Sequence, residues 1–174
     1  MRVSVAGTGY VGLVAGVSFA SIGHNVTCID VDEKKINLMK KGISPIYEKD
    51  LEKLMKENDE RLTYTTDYKS AYKEAEVIFI GVGTPEQADG SANLNYVFGV
   101  VDQIADSIEK DTVVVVKSTV PVGTNDRIDL IFKEKLEKKG IKVAVISNPE
   151  FLAQGTAVRD TLYAPRIIVG IEDK

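Results

Sequence analysis

The chain has 174 residues, 44% hydrophobic and 28% charged, with a net charge of −4 and a single cysteine. That is enough chain for one domain with a substantial core. The mild acidity argues against an electrostatic grip on nucleic acid or an anionic membrane. One cysteine excludes an internal disulfide, and no apolar stretch approaches the roughly 20 residues that span a bilayer.

A short β-branched run, Val3-Ser4-Val5-Ala6, stops at Gly7, passes Gly9 and Gly12, and gives way to a helical pattern. This is G-x-G-x-x-G between a strand and a helix. The first glycine allows the tight turn, the second lets a pyrophosphate approach bare backbone, and the third lets helix and strand pack closely. The N-terminal segment is a core strand without a cleavable signal pattern, so a cytoplasmic protein is expected. After the turn Ser21-Ile22-Gly23-His24 comes a second strand, Asn25 to Asp30. Asp30 stands about twenty residues beyond the glycines, where a carboxylate binds the ribose hydroxyls of NAD and repels the 2′-phosphate of NADP. The alternative is a glycine-tight turn without a ligand, in which Asp30 caps a helix starting near Val31. Cys28, inside this strand, is expected to be buried and inert.

A helix with Ile36, Leu38 and Met39 ends at Lys40-Lys41-Gly42, and a loop with Pro45 leads to a charged helix around Leu51, Leu54 and Met55. Leu62–Thr65 reads as the third strand, and Thr66-Asp67 opens a short helix with Ala71 and Tyr72. Glu76–Val82 is a near-continuous apolar run, as expected of a parallel strand covered on both faces. A loop from Gly83 to Ala92 precedes a helix through Val97, Val101 and Ile108, followed by the strand Thr112–Val116. Thr124 is a good N-cap for a helix through Ile128 and Leu136 that ends at Lys138-Lys139-Gly140. The strands Val143–Ile146 and Arg166–Gly170 close the series, and Glu172-Asp173-Lys174 reads as a domain boundary. The alternation predicts an α/β fold: a Rossmann-type, doubly wound parallel sheet in the order 3-2-1-4-5-6 with an added edge strand.

In such a sheet ligands bind beyond the C-terminal ends of the strands. The segments there are Gly81–Gly90, Lys117–Thr124 and Ser147–Gly155. Each has a plain turn-forming reading, since Gly83, Pro85 and Asn148-Pro149 are turn residues. Together, however, G-T-P followed by D-G, then S-T-V-P-V-G-T, then N-P-E-F-L-A-x-G resemble the UDP-glucose/GDP-mannose dehydrogenase family, in register from Met1 to about Gly170.

The resemblance implies a two-step, four-electron oxidation of a sugar C6 alcohol to a carboxylate with two NAD⁺, by way of a thioester on a cysteine. It implies NAD binding by Gly7, Gly9, Tyr10, Val11, Gly12, Asp30, Lys35, Thr84, Thr119 and Gln154, with Val11, Asp30 and Lys35 at the adenosine half. Thr119 and Glu150 are the implied catalytic residues, the threonine holding a water and the glutamate acting as base or electrostatic partner. Glu150, Phe151, Leu152 and Gln154 are implied to touch a nucleotide-sugar substrate, UDP-glucose first, with GDP-mannose or UDP-N-acetylmannosamine as alternatives. A homodimer or larger assembly is implied for the intact enzyme.

Two departures stand out. The family usually has glutamate where this chain has Gln154, which keeps hydrogen bonding but cannot take a proton. The family's cysteine nucleophile, its lysine and its sugar-nucleotide-binding domain lie beyond position 174, so residues 1–174 are expected to be an NAD-binding domain that alone oxidises no sugar. A β-hydroxyacid dehydrogenase shares the cofactor domain, but N-P-E-F-L and S-T-V-P-V-G-T speak against it. A free-standing NAD-binding module is the non-catalytic alternative.

Overall fold

The computed structural model describes residues 1–171. Among them, six parallel strands form one sheet: β1 (Arg2–Ala6), β2 (Asn25–Ile29), β3 (Leu62–Thr65), β4 (Val77–Ile80), β5 (Thr112–Val116) and β6 (Val143–Ser147). Their order is β3-β2-β1-β4-β5-β6, as the alternation predicts. The helices are α1 (Tyr10–Ser21), α2 (Glu33–Met39), α3 (Leu51–Glu57), α4 (Tyr68–Lys73), α5 (Asn95–Ser107), α6 (Thr124–Leu136) and α7 (Ala157–Leu162).

Alternation along each strand divides the core in two. Val3 and Val5, with Val26, Cys28, Leu62 and Tyr64, face α1, α2, α3 and α7. Ala6, with Ile29, Ile78, Ile80, Val114 and Val116, faces α4, α5 and α6. Ser4 points to this second face and spends its hydroxyl on the Ala71 carbonyl at 2.9 Å, which makes a polar residue tolerable in a central strand.

The chain changes direction in strand order between β1 and β4, and three glycines meet there. Gly7 turns the chain at φ +93°, and a methyl placed on Gly12 would lie 2.0 Å from the Gly7 carbonyl oxygen. A methyl on Gly81, just after β4, would lie 2.9 Å from Gly12 Cα. The start of α1 therefore rests on the ends of two strands, backbone against backbone.

Three local expectations change. The apolar run Arg166–Gly170 adds no edge strand to the described sheet; a single antiparallel bridge joins Gly170 to Ser147. Ile167 and Val169 are exposed, so an apolar run by itself does not secure pairing. Gly123, at φ +85°, occupies the N-cap of α6, and Thr124 is its first helical residue, buried rather than capping. The short α7 lies in a stretch where no helix is expected from periodicity. The end at Glu172–Lys174, read as a domain boundary, lies outside the described residues.

The close approach at Gly12 gives a direct prediction. Gly12→Ala should lower stability by about 3 kcal/mol or more in urea unfolding, because the added methyl meets backbone that cannot yield. An unchanged midpoint would contradict this packing.

Candidate functional site

Two of the three glycines in the first turn are explained by internal packing. Gly9 is not. It sits at the N-cap of α1 with an ordinary φ of −78°, and a methyl there would meet nothing within 4 Å. Among the described residues no side chain caps this helix, and no acid lies in its first turn. The first N–H groups of a 12-residue helix thus lack carbonyl partners and carry the positive end of its dipole. Gly9 leaves that end bare, and Tyr10 and Val11 flank it. A pyrophosphate fits such a cradle.

One strand away, Asp30 is held at the end of β2. Its Oδ2 accepts from Thr8 N at 2.9 Å and Thr8 Oγ1 at 2.5 Å, its Oδ1 accepts from Asp32 N at 3.0 Å, and Lys35 Nζ stands 3.6 Å away. Burial opposes ionisation, but the Thr8 and Asp32 hydrogen bonds and the Lys35 charge outweigh it and hold the carboxyl below the usual range. Asp30 does not cap the following helix. Asp32 does, accepting from Lys34 N and Lys35 N at 2.8 and 3.3 Å. Asp30 is therefore a fixed anion tied to the glycine turn. Thr8, fully buried between two of the glycines, is the residue that ties it, and it drew no notice in the sequence because any residue satisfies that position of the motif.

The loops after β4, β5 and β6 meet at the other end. Thr84 Oγ1 donates to the Thr119 carbonyl at 3.0 Å, and Thr119 Oγ1 donates to Glu150 Oε1 at 3.0 Å. Ser118 Oγ donates to the Val82 carbonyl at 2.6 Å, fixing the loop that carries Thr119. Glu150 Oε2 is buried without a hydrogen-bond donor among the described residues. It lies in a cleft of about 1010 Å³ shared with Lys117, Asn148, Phe151, Leu152 and Arg166. A carboxylate hydrogen-bonded at one oxygen and unpartnered at the other suits proton transfer.

Lys117, noted in the sequence only as part of its loop, donates to Asn148 Oδ1 at 3.2 Å. Burial pushes its ammonium below the ordinary lysine range, while the nearby Glu150 charge works the other way. The Arg166 guanidinium lies 4.8 Å from the Phe151 ring centre. Gln154 is exposed and lies four residues past Glu150, outside the Thr84–Thr119–Glu150 chain. Its neighbour Gly155 is instead anchored by Glu48, a buried carboxylate that sequence reasoning missed because its partners are more than a hundred residues away. Cys28 is buried and its thiol is pushed up to about 12, which fits an inert core residue.

The family model described as "UDP-glucose/GDP-mannose dehydrogenase family, NAD binding domain" matches residues 1–174. The chain belongs to this family. It is 51% identical over its whole length to UDP-glucose 6-dehydrogenase YwqF of Bacillus subtilis and 46% identical to UDP-glucose 6-dehydrogenase of Rickettsia bellii. In both cases it spans 40% of the relative's length. Among solved structures it superposes on GDP-mannose dehydrogenase of Pseudomonas aeruginosa with a TM-score of 0.94 at 37% identity. UDP-glucose dehydrogenase of Pyrobaculum islandicum gives 0.91 at 36%. Each superposition covers 99% of this chain and 41% of the other. Among the described residues no helix is long and apolar enough to cross a membrane.

The state of Asp30 predicts a pH signature. A carboxyl whose folded pKa is depressed adds stability above its unfolded pKa of about 3.9, and that stability is lost as pH falls through the folded value. Asp30→Asn should therefore cost about 1–2 kcal/mol at neutral pH, the scale of hydrogen bonds to a charged group. The gap between variant and wild type should close in acid. Urea unfolding across the pH range checks this, and a gap independent of pH would contradict it.

Proposed function

We propose that this chain is the NAD-binding domain of a nucleotide-sugar 6-dehydrogenase, and that UDP-glucose is the substrate of the longer protein. The observation that carries the cofactor reading is the outward-facing Gly9 at an uncapped helix N-terminus, one strand from an ionised Asp30. Protein packing requires Gly7 and Gly12 to lack side chains. Packing makes no such demand of Gly9, and that supports an approaching ligand as the reason for a glycine there.

In this reading Gly9 and Tyr10 receive the pyrophosphate, Val11 meets the adenosine half, and Asp30 accepts from the adenosine ribose hydroxyls while Lys35 balances its charge. Thr84 and Thr119 line the path to the nicotinamide end. NAD⁺, when bound, supplies the hydride acceptor. Thr119 then orients Glu150, whose unpartnered Oε2 takes a proton from the reacting hydroxyl or turns to the hydrolytic water. Phe151 and Leu152 border the space for the sugar, and neutral Gln154 contributes hydrogen bonds at the cofactor's nicotinamide end without charge.

The chain spans about 40% of its curated relatives, so the cysteine nucleophile, its lysine and the sugar-nucleotide-binding domain are assigned to the longer protein. The 51% identity to a UDP-glucose 6-dehydrogenase supports UDP-glucose as the substrate. The likeness to GDP-mannose dehydrogenase, at 37% identity, favours GDP-mannose as the second reading.

Calorimetric titration with NAD⁺ and NADP⁺ tests the cofactor role. The wild-type chain should bind NAD⁺ saturably and NADP⁺ about tenfold more weakly, the effect of roughly 1.4 kcal/mol. Asp30→Ala should erase the preference. Equal or tighter NADP⁺ binding by the wild type would overturn the assignment of Asp30.

A further inference from the structure

Between β6 and α7 the chain runs from Asn148 to Thr156 without regular secondary structure, and this stretch carries Glu150, Phe151, Leu152 and Gln154. Its first end is fixed by β6 and by the Thr119–Glu150 hydrogen bond. Its far end is fixed by α7, whose Ala157 and Val158 enter the core beside Leu13, Val14 and Val17 of α1. Asp160 ties the stretch locally, accepting from Ala153 N at 3.2 Å and Thr156 Oγ1 at 2.6 Å.

A further tie comes from the loop between α2 and α3. Glu48, 6% exposed, reaches across with both carboxylate oxygens. Oε2 accepts from Gly155 N at 2.7 Å and Oε1 from Ala157 N at 3.0 Å. The preceding residue, Tyr47, accepts at its carbonyl from the Tyr10 hydroxyl, and Tyr10 belongs to the glycine turn. Desolvation and then the neighbouring Glu48 charge push the Tyr10 phenol above its ordinary range. Tyr10, Tyr47, Glu48 and Gly155 thus link the glycine turn to the end of the Asn148–Thr156 stretch.

We infer that Glu48 is a positioning residue: by holding the Gly155 and Ala157 N–H groups it sets the Phe151–Gln154 stretch against the glycine turn. It thereby determines how Gln154 meets the nicotinamide half of the cofactor. The inference rests on the role given to Gln154 under the proposed function. A carboxylate suits the task because two donors two residues apart need two acceptor oxygens. Glutamine offers one, and its amide group would turn a donor toward the other N–H. A buried carboxylate without a cationic partner among the described residues is stable only while such hydrogen bonds are made.

The test compares NADH with ADP-ribose, which lacks only the nicotinamide, on the wild-type chain and on Glu48→Gln. NADH binding, followed by its fluorescence, should weaken roughly five- to tenfold, the scale of one lost hydrogen bond at the site. ADP-ribose binding, followed by calorimetry, should stay unchanged, and the Gly155 and Ala157 amides should exchange faster. If Glu48→Gln does not fold, Glu48→Asp, which keeps the charge and both oxygens but withdraws them by one methylene, should give the same split. Parallel loss of both ligands would mark general damage and overturn the positioning role, as would NADH binding that does not change. A wild-type chain that binds neither ligand would instead overturn the cofactor reading itself.

Discussion

Backbone touches backbone where β1, β4 and the start of α1 converge, and the rest of the site depends on that contact. Gly7, Gly12 and Gly81 permit it, since a methyl on any of them would strike main-chain atoms. The approach brings the first turn of α1 to the crevice opened by the reversal in strand order. There its first N–H groups, without a capping side chain among the described residues, begin at Gly9. Bulk at the three interior glycines would push the helix away, and its first turn would move with it.

Parallel strands supply the second constraint. Because all six described strands run the same way, every βα loop ends on one edge of the sheet. Thr8 and Asp30 lock together across β1 and β2, while Thr84, Thr119 and Glu150 link the loops after β4, β5 and β6. The first group fixes an ionised carboxylate beside the glycine turn, and the second forms a hydrogen-bonded chain that stops at a buried, unpartnered carboxylate oxygen. Both groups lie on one edge of the sheet, on either side of the switch in strand order, where ligands of such sheets bind.

Much of this was legible in the sequence because its signals are local. β-branched runs bounded by glycine and polar turns marked the six strands, and the glycine turn and Asp30 are read from spacing alone. What was not legible depends on long-range geometry. Asp30 alone was weighed as a cap for the helix that follows, and only the folded chain shows Asp32, two residues on, taking that place. Glu48 is one charge among many in a lysine- and glutamate-rich stretch until folding brings Gly155 and Ala157 to it. The run Arg166–Gly170 has the composition of a strand, yet only Gly170 reaches Ser147, so composition overstated the sheet. Thr119 and Glu150 stood out by motif, and their direct hydrogen bond required the structure.

On the proposed function, Gly9 is bare for a ligand's sake and Gly12 for the fold's. NAD⁺ titration of Gly9→Val, set beside its urea unfolding curve, tests it most directly. Stability should fall by no more than about 1 kcal/mol, the loss of a favourable N-cap residue, because open space surrounds that position, while saturable NAD⁺ binding should be lost. A variant that binds NAD⁺ as the wild type does would contradict the account and leave the glycine turn a purely structural device.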